Sequence, residues 1–255
     1  MSTMSIIKEA ISILLRYFFK FLMVIIVYIV IMGILESIAP ESTIDAFDYP
    51  SDNITFTNIF NSIRGSGLDN MTSFSFDILK NIISNILIGA NFMAILDLLR
   101  GYSYGVGEVK DKIMHYSPVL IPVAAIYTLI LKMLGLVPIV GSILGVIGYF
   151  ALLFIYFLVE DYPELNPIDY LKLSYEITKG HKLKLVFLWI MIMIVPIILA
   201  FIILFLLVPS LLIGGLAAAI IVIPIFLIAL IPTLATTILM MIAITLYYER
   251  NIVKI

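Results

Sequence analysis

The sequence predicts an all-α integral membrane protein: a single membrane domain over residues 1–255, with six transmembrane helices, an N-terminal amphipathic helix and a cytoplasmic in-plane helix. The chain is 63% hydrophobic and only 13% charged, whereas soluble domains are about half apolar and about a quarter charged. Its apolar runs approach the ~20 residues that a helix needs to cross a bilayer. Lys and Arg collect at alternate ends of these runs, which is typical of a multi-pass protein.

The basic residues orient the predicted helices. If both termini lie on the cytoplasmic side of the cell membrane, the inner segments hold 12 of the 15 Lys and Arg residues, as the positive-inside rule requires. A seventh helix would export Arg250 and Lys254, so six are favoured. Because proline interrupts helices, the sequence allows either two or three helices at the end of the chain. The prolines concerned are Pro209, Pro224 and Pro232. The predicted spans are 14–38, 78–99, 118–134, 138–159, 185–208 and one within 216–247.

The first element, residues 1–20, is predicted to be a basic amphipathic helix. Lys8, Ser12, Arg16 and Lys20 recur every four residues, so they share one face of a helix. Such a helix lies flat among the headgroups and favours an anionic leaflet. The alternative is that these cations only anchor the first span by the positive-inside rule.

The loop at 39–77 is acidic and is predicted to lie outside the cell. Its one basic residue is Arg64, and its apolar residues indicate a short helix or turn on the membrane. Hard oxygen ligands make cation binding conceivable, but the spacing matches no EF-hand. Its acidic residues are Glu41, Asp45, Asp48, Asp52, Asp69 and Asp77.

The second predicted span carries the most polar face within the membrane. Asn81, Ser84, Asn85 and Asn91 recur at intervals of about three and four residues. One interpretation is hydrogen bonding between helices, and the other is a polar path for a solute. At the inner end, Asp97 and Arg100 are spaced to form an ion pair.

Residues 160–184, EDYPELNPIDYLKLSYEITKGHKLK, interrupt two apolar runs and are predicted to form a cytoplasmic interfacial helix. Asn166 fits the N-cap and Pro167 the first helical position. Gly180 fits the left-handed residue that follows a helix end. The face predicted to be apolar comprises Ile168, Leu171 and Tyr175, and the face predicted to be wet comprises Asp169, Lys172, Glu176 and Lys179.

The longer stretch FLVEDYPELNPIDYLKLSYEITKGHKLKLVFLWI resembles a segment of the membrane domain associated with glycerophosphoryl diester phosphodiesterases and of related uncharacterised prokaryotic membrane families. The residues that carry the resemblance are Glu160, Leu171, Ser174, Lys179, Gly180 and Lys182. It covers about 35 residues and is supported elsewhere by the six-span plan. The resemblance implies a helical membrane module, sometimes fused to a catalytic domain, whose own role is largely unassigned.

Two functions are compatible with these features. The favoured one is a non-catalytic accessory or scaffolding module for an envelope, lipid or transport partner. The alternative is a permease subunit with a polar path along the second helix. Both imply contact with membrane lipids and are compatible with a protein partner at the cytoplasmic face, and neither involves nucleic acid.

A membrane-bound hydrolase is the least favoured function. The chain has no cysteine and two histidines, His115 and His181, and neither histidine has a metal-ligand spacing. Gly101, Gly105 and Gly107 follow a transmembrane helix, so they do not form a dinucleotide-binding motif. We therefore expect no cofactor, no metal site and no catalytic residues.

Overall fold

The computed structural model describes residues 2–39, 67–135, 148–213 and 215–253. These residues are almost entirely helical, and no strand occurs among them. The principal helices are α1 Thr3–Ile38, α2 Gly67–Leu99, α3 Val106–Gly135, α4 Ile155–Asp161, α5 Pro167–Thr178, α6 Lys182–Ile213 and α7 Gly215–Asn251.

Five described helices are long and apolar enough to cross a membrane, which confirms an all-helical chain compatible with a multi-pass protein. They contain the segments Thr3–Ile38, Ser75–Leu99, Val106–Met133, Lys182–Ile203 and Pro232–Asn251. The acidic loop predicted at 39–77 lies largely outside the described residues. α2 begins at Gly67, well before the predicted start of the second span.

The predicted fourth span, 138–159, is broken within its described part. Residues 148–151 are helical, the chain turns at 152–154, and α4 then begins at Ile155. The Ile155 amide donates to the Leu152 carbonyl at 3.2 Å instead of continuing the α-helical ladder to Ala151. The described part of the predicted fourth span therefore consists of two helical pieces, residues 148–151 and α4, and not of one continuous helix.

α4 is a short helix enclosed by the rest of the protein. All five residues from Ile155 to Val159 are buried, and α4 packs against α2, α3 and α5. These five residues make more than one turn of helix that is largely apolar on every side, and such a surface requires an apolar environment all round. In this chain, α2, α3 and α5 supply that environment.

α1 joins the predicted amphipathic segment and the first span into one helix that kinks at Tyr17, where φ is −114° and ψ is 15°. Ile6, Ala10 and Leu14 are buried, and α1 packs against α7. The predicted basic face is exposed along its whole length; it comprises Lys8, Ser12, Arg16 and Lys20.

The end of the chain forms two helices, α6 and α7, on either side of residue 214. α7 continues past Pro232, where the Thr236 hydroxyl donates to the Pro232 carbonyl at 2.8 Å. Proline lacks the N–H that would bond the carbonyl one turn before it. The Thr236 bond is the common kind in which a threonine hydroxyl bonds back to a carbonyl one turn earlier in its own helix. The two helices also pack against each other.

Candidate functional site

The polar face of α2 is used for contacts with its neighbours. The Ser84 and Tyr28 hydroxyls lie 2.9 Å apart, which joins α2 to α1. Asn85 Nδ2 donates to Thr128 Oγ1 on α3 at 2.9 Å. Asn81 Nδ2 donates to the Asp77 carbonyl within its own helix at 2.6 Å. The two interhelical bonds, made by Ser84 and Asn85, favour helix packing over a solute path as the interpretation of the face.

Asn91 is the most enclosed polar residue of this face, with 8% of its surface exposed. Tyr104 Oη donates to Asn91 Oδ1 at 2.7 Å, and Asn91 Nδ2 donates to the Met241 sulfur on α7 at 3.4 Å. A thioether is a weak acceptor, so the amide retains donor capacity. Burial raises the pKa of Tyr104 above its ordinary value, which keeps its hydroxyl protonated as the donor.

The predicted Asp97–Arg100 pair is wrong. Gly101 has a φ of 96°, a left-handed conformation that favours glycine and ends a helix. Arg100 therefore lies in the terminal turn of α2, and its guanidinium reaches other helices. It donates to Asp161 at 2.8 Å and to Glu249 at 3.1 Å. Asp97 pairs with Lys112 at 2.7 Å instead.

These side chains belong to a charged network at the predicted inner end of the bundle. Lys112 also pairs with Glu160 at 2.6 Å, and Tyr248 Oη donates to Asp161 Oδ2 at 2.6 Å. Burial alone would lower the pKa of Arg100, but its hydrogen bonds to two carboxylates outweigh that effect and raise the pKa. The network links α2, α3, α4 and α7, and its charged members are Asp97, Arg100, Lys112, Glu160, Asp161 and Glu249.

α5 supports the break before α4. The Ser174 hydroxyl donates to the Ala151 carbonyl at 3.0 Å. The Thr178 hydroxyl lies 3.1 Å from the same carbonyl and 2.8 Å from the Ser174 carbonyl of its own helix, and both residues are fully buried. Irregular backbone at membrane depth is tolerated where it is buried in protein and its polar groups are satisfied. Ser174 thus has a structural role in this chain.

The helix predicted within 160–184 forms at Pro167–Thr178, with Asn166 as its N-cap residue. Its buried residues are Tyr170, Ser174 and Thr178, which differs from the predicted apolar face. Ile168 and Tyr175 are exposed. The helix packs on protein through its small hydroxyl residues because these reach the interrupted backbone. Its position in the plane of a membrane stays a prediction.

The turn after α5 also differs from expectation. Lys179 caps the helix in a right-handed conformation, and among the described glycines only Gly101 has a positive φ. The left-handed conformation predicted for Gly180 is therefore wrong. The reason is that α6 begins at Lys182, so the chain stays nearly helical through the turn. The Lys182 ammonium lies 4.4 Å from the centre of the Tyr175 ring.

The two histidines have aromatic neighbours. His181 Nδ1 and Tyr247 Oη are 2.7 Å apart, and the His115 ring contacts Tyr116 edge-on. Burial, followed by the nearby charge of Lys184, lowers the pKa of His181. Within the part of the chain that the structure describes, no group of three or more His, Asp or Glu side chains is placed to hold a metal ion.

A cavity of about 610 Å³ lies between α1, α2, α3, α6 and α7. Its described lining is mainly aliphatic and aromatic and includes Trp189, with Tyr28 and Asn91 among its polar residues. Lys110 is the one charged residue in that lining. The volume falls within the roughly 300–1,000 Å³ typical of small-molecule sites. Periodicity in the sequence could not reveal this site, because five helices contribute to it.

Comparisons with known proteins identify no family for this chain. No protein-family model matches the chain, and neither a curated protein nor a solved structure matches it. The resemblance to the phosphodiesterase-associated membrane domain therefore stays a prediction that rests on its motif residues.

Proposed function

We propose that this chain is a non-catalytic, multi-pass accessory module of the cell membrane that holds part of a lipid molecule within its helical bundle. The observation that carries the proposal is the cavity of about 610 Å³ with its largely apolar lining. Ligand sites combine such a lining with a few polar groups that orient the ligand. Asn91 and Lys110 are groups of that kind in this cavity.

The cavity is well placed to receive a hydrocarbon chain. Its lining includes residues from the middle of α1 and α2, such as Val27 and Ile88, as well as residues near the start of α3. Each of these helices is long and apolar enough to cross a membrane. A chain entering between them leaves one hydrocarbon environment for another, so entry requires little dehydration of polar groups.

The alternative of a permease with a polar path along α2 has less support. Ser84 and Asn85 hydrogen-bond to α1 and α3, so their polar atoms are engaged between helices. Asn91 does line the cavity, but its immediate neighbours there, Ile88 and Phe92, are apolar. A hydrated path would require the interhelical bonds to open.

Lipid retention tests the proposal. Purified protein should retain about one lipid per chain after extensive washing in mild detergent, measured by extraction and mass spectrometry. Leu87 lines the cavity, so Leu87→Trp should reduce retention by filling that space. Leu15 is 73% exposed on α1 and makes Leu15→Trp the matched control, which should retain lipid normally. Equal retention by the two variants, or none by the native chain, would contradict the proposal.

The orientation can be tested separately. Cysteines introduced at Ser51 and Lys172 should react with an impermeant thiol reagent from opposite sides of the membrane, with Ser51 labelled from outside. Lys172 is exposed on α5, which makes it a better position than the buried Ser174. Labelling of the Lys172 cysteine in intact cells would show that the proposed topology is inverted or incomplete.

A further inference from the structure

The apolar lining of the cavity cannot by itself select one lipid over another. Hydrocarbon tails of the bilayer are as apolar as Leu or Ile side chains, so burial in the cavity brings little hydrophobic gain relative to the bilayer. Discrimination must therefore come from packing shape and from the polar groups at the cavity. Among the described lining residues, Lys110 is the only one with a formal charge.

Lys110 differs from the neighbouring cations in having its charge available. Lys112 is held by Asp97 at 2.7 Å and Glu160 at 2.6 Å, and Arg100 is held by Asp161 and Glu249. Lys110 is exposed, and among the described residues it has no ion-pair partner. An ammonium in that situation is free to bind an anion from outside the protein.

The position of Lys110 suits a lipid headgroup. α3 begins at Val106, so Lys110 lies about 6 Å along the helix from its start, at ~1.5 Å per residue. Near the end of a membrane helix, a lysine side chain is long enough to bring its ammonium to the headgroup layer. The aliphatic part of the cavity continues from this point to Val27 and Ile88. Charge at one end and hydrocarbon along the remainder match the two parts of an amphiphile.

The basic face of α1 lies toward the same end of the bundle. Lys20 is close enough to Glu108 on α3 for their charges to interact, and the rings of Phe21 and Tyr104 are 4.5 Å apart. Lys8, Arg16 and Lys20 are exposed, and each basic residue near an anionic leaflet adds attraction. Lys8, Arg16 and Lys20 can therefore attract anionic lipid to this end of the bundle, but they do not line the cavity, whereas Lys110 does.

We propose that the cavity binds one acyl chain of an anionic glycerophospholipid, with the lipid phosphate paired to the Lys110 ammonium. This inference rests on the proposed function, because it requires that the cavity hold lipid at all. The Asn91 amide, whose present acceptor on that side is a thioether sulfur, supplies an additional donor for a lipid oxygen within the cavity.

The test is a competition between two lipids with the same acyl chains. Delipidated protein is exchanged with an equimolar mixture of phosphatidylglycerol and phosphatidylcholine, and the retained lipids are quantified by mass spectrometry. The native chain should retain the anionic lipid in roughly five-fold excess, the ratio that corresponds to about 1 kcal/mol per basic residue near the surface. Lys110→Gln should bring the ratio close to one, and Lys110→Arg should preserve it.

The control is Lys172→Gln, which removes an exposed cation on α5 that does not line the cavity. It should leave the ratio unchanged. A ratio that stays high in Lys110→Gln would overturn the inference, and so would equal retention of the two lipids by the native chain. In both cases lipid retention itself, and with it the proposed function, would stand. Loss of all retention in the native chain would contradict the proposed function instead.

A third arm distinguishes the phospholipid from a free fatty acid, which offers the same charge on a single chain. Oleate is added to the mixture at equal concentration. Preferential retention of phosphatidylglycerol supports the inference. Preferential retention of oleate, lost in Lys110→Gln, would overturn the choice of a phospholipid as the occupant.

Discussion

The first five residues of α4 and most of α6 are apolar, yet the two segments occupy different environments. Every residue from Ile155 to Val159 in α4 is buried in protein, whereas Phe201 of α6 is 69% exposed. The hydrocarbon of a membrane and the interior of a protein are similarly apolar, so composition cannot tell the two locations apart. The difference lies in the backbone, because the break before α4 leaves a carbonyl that only protein hydroxyls satisfy.

The largest expected effect comes from truncating one phenylalanine in each helix. Phe157 in α4 is fully buried, so Phe157→Ala should lower the free energy of unfolding by about 3–5 kcal/mol through lost contacts and a residual cavity. Phe201→Ala, the matched change in α6, should stay within about 0.5 kcal/mol. Unfolding in mild detergent measures both. Equal losses would show that α4 is no more enclosed than α6.

A second prediction concerns the interrupted backbone. The Ala151 carbonyl lies within hydrogen-bond distance of the Ser174 and Thr178 hydroxyls. The double variant Ser174→Ala with Thr178→Val should lower the free energy of unfolding by about 1–3 kcal/mol, because a buried acceptor is left without a partner. Each single variant should lower the free energy of unfolding by less than half as much as the double variant, since the other hydroxyl can still donate. Additive single effects would show that the hydroxyls do not share this acceptor.

Gly89 on α2 provides a further test of how tightly α4 is enclosed. A Cβ atom at Gly89 would overlap the ring of Tyr156 on α4. Gly89→Ala should therefore destabilise the protein by about 1–3 kcal/mol, the usual cost of overpacking. Gly33 on α1 has open space around it, and Gly33→Ala should be neutral or slightly stabilising, since alanine is the better helix former. A neutral Gly89→Ala would mean that α4 is free to move away.

The polar face of α2 gives a smaller effect. Asn85→Leu removes the hydrogen bond to Thr128 and should cost about 0.5–2 kcal/mol, as measured for interhelical bonds in membranes. Adding Thr128→Val should cost little more, because its partner is already lost. If Asn85→Leu left stability unchanged but abolished activity in the cell, the solute-path interpretation would replace the packing one.

The smallest expected effect is the pH dependence that comes from His181. Burial, followed by the charge of Lys184, lowers the pKa of His181 below its ordinary value of 6.5. In acid the unfolded chain binds a proton that the folded protein resists, so stability should fall as the pH drops below about 6.5. His181→Gln should weaken that dependence in melting temperatures recorded between about pH 8 and pH 5.5. An unchanged slope would assign it to other groups.

Local patterns predicted some elements well and failed for others. Asn166 and Pro167 marked the start of α5 correctly, because proline suits the first helical position; the Asn166 side chain makes no capping hydrogen bond to the backbone. The periodicity of Ser84 and Asn85 correctly indicated an inward face. The partners of Asp97 and Arg100 were not predictable, since Arg100 pairs with Asp161 and Glu249 on other helices. Tyr104 was missed because a loop residue has no periodicity that reveals its burial.

The sequence by itself determined that this chain is helical and suited to a membrane, because transfer into hydrocarbon depends on windows of about 20 residues. Only the tertiary structure decided which apolar surfaces meet protein, where the helix before α4 breaks, and which carboxylates pair with Lys112. The tertiary structure also creates the cavity that Lys110 lines. These features bring together side chains far apart in the chain, and their energies depend on distances that no single helix sets.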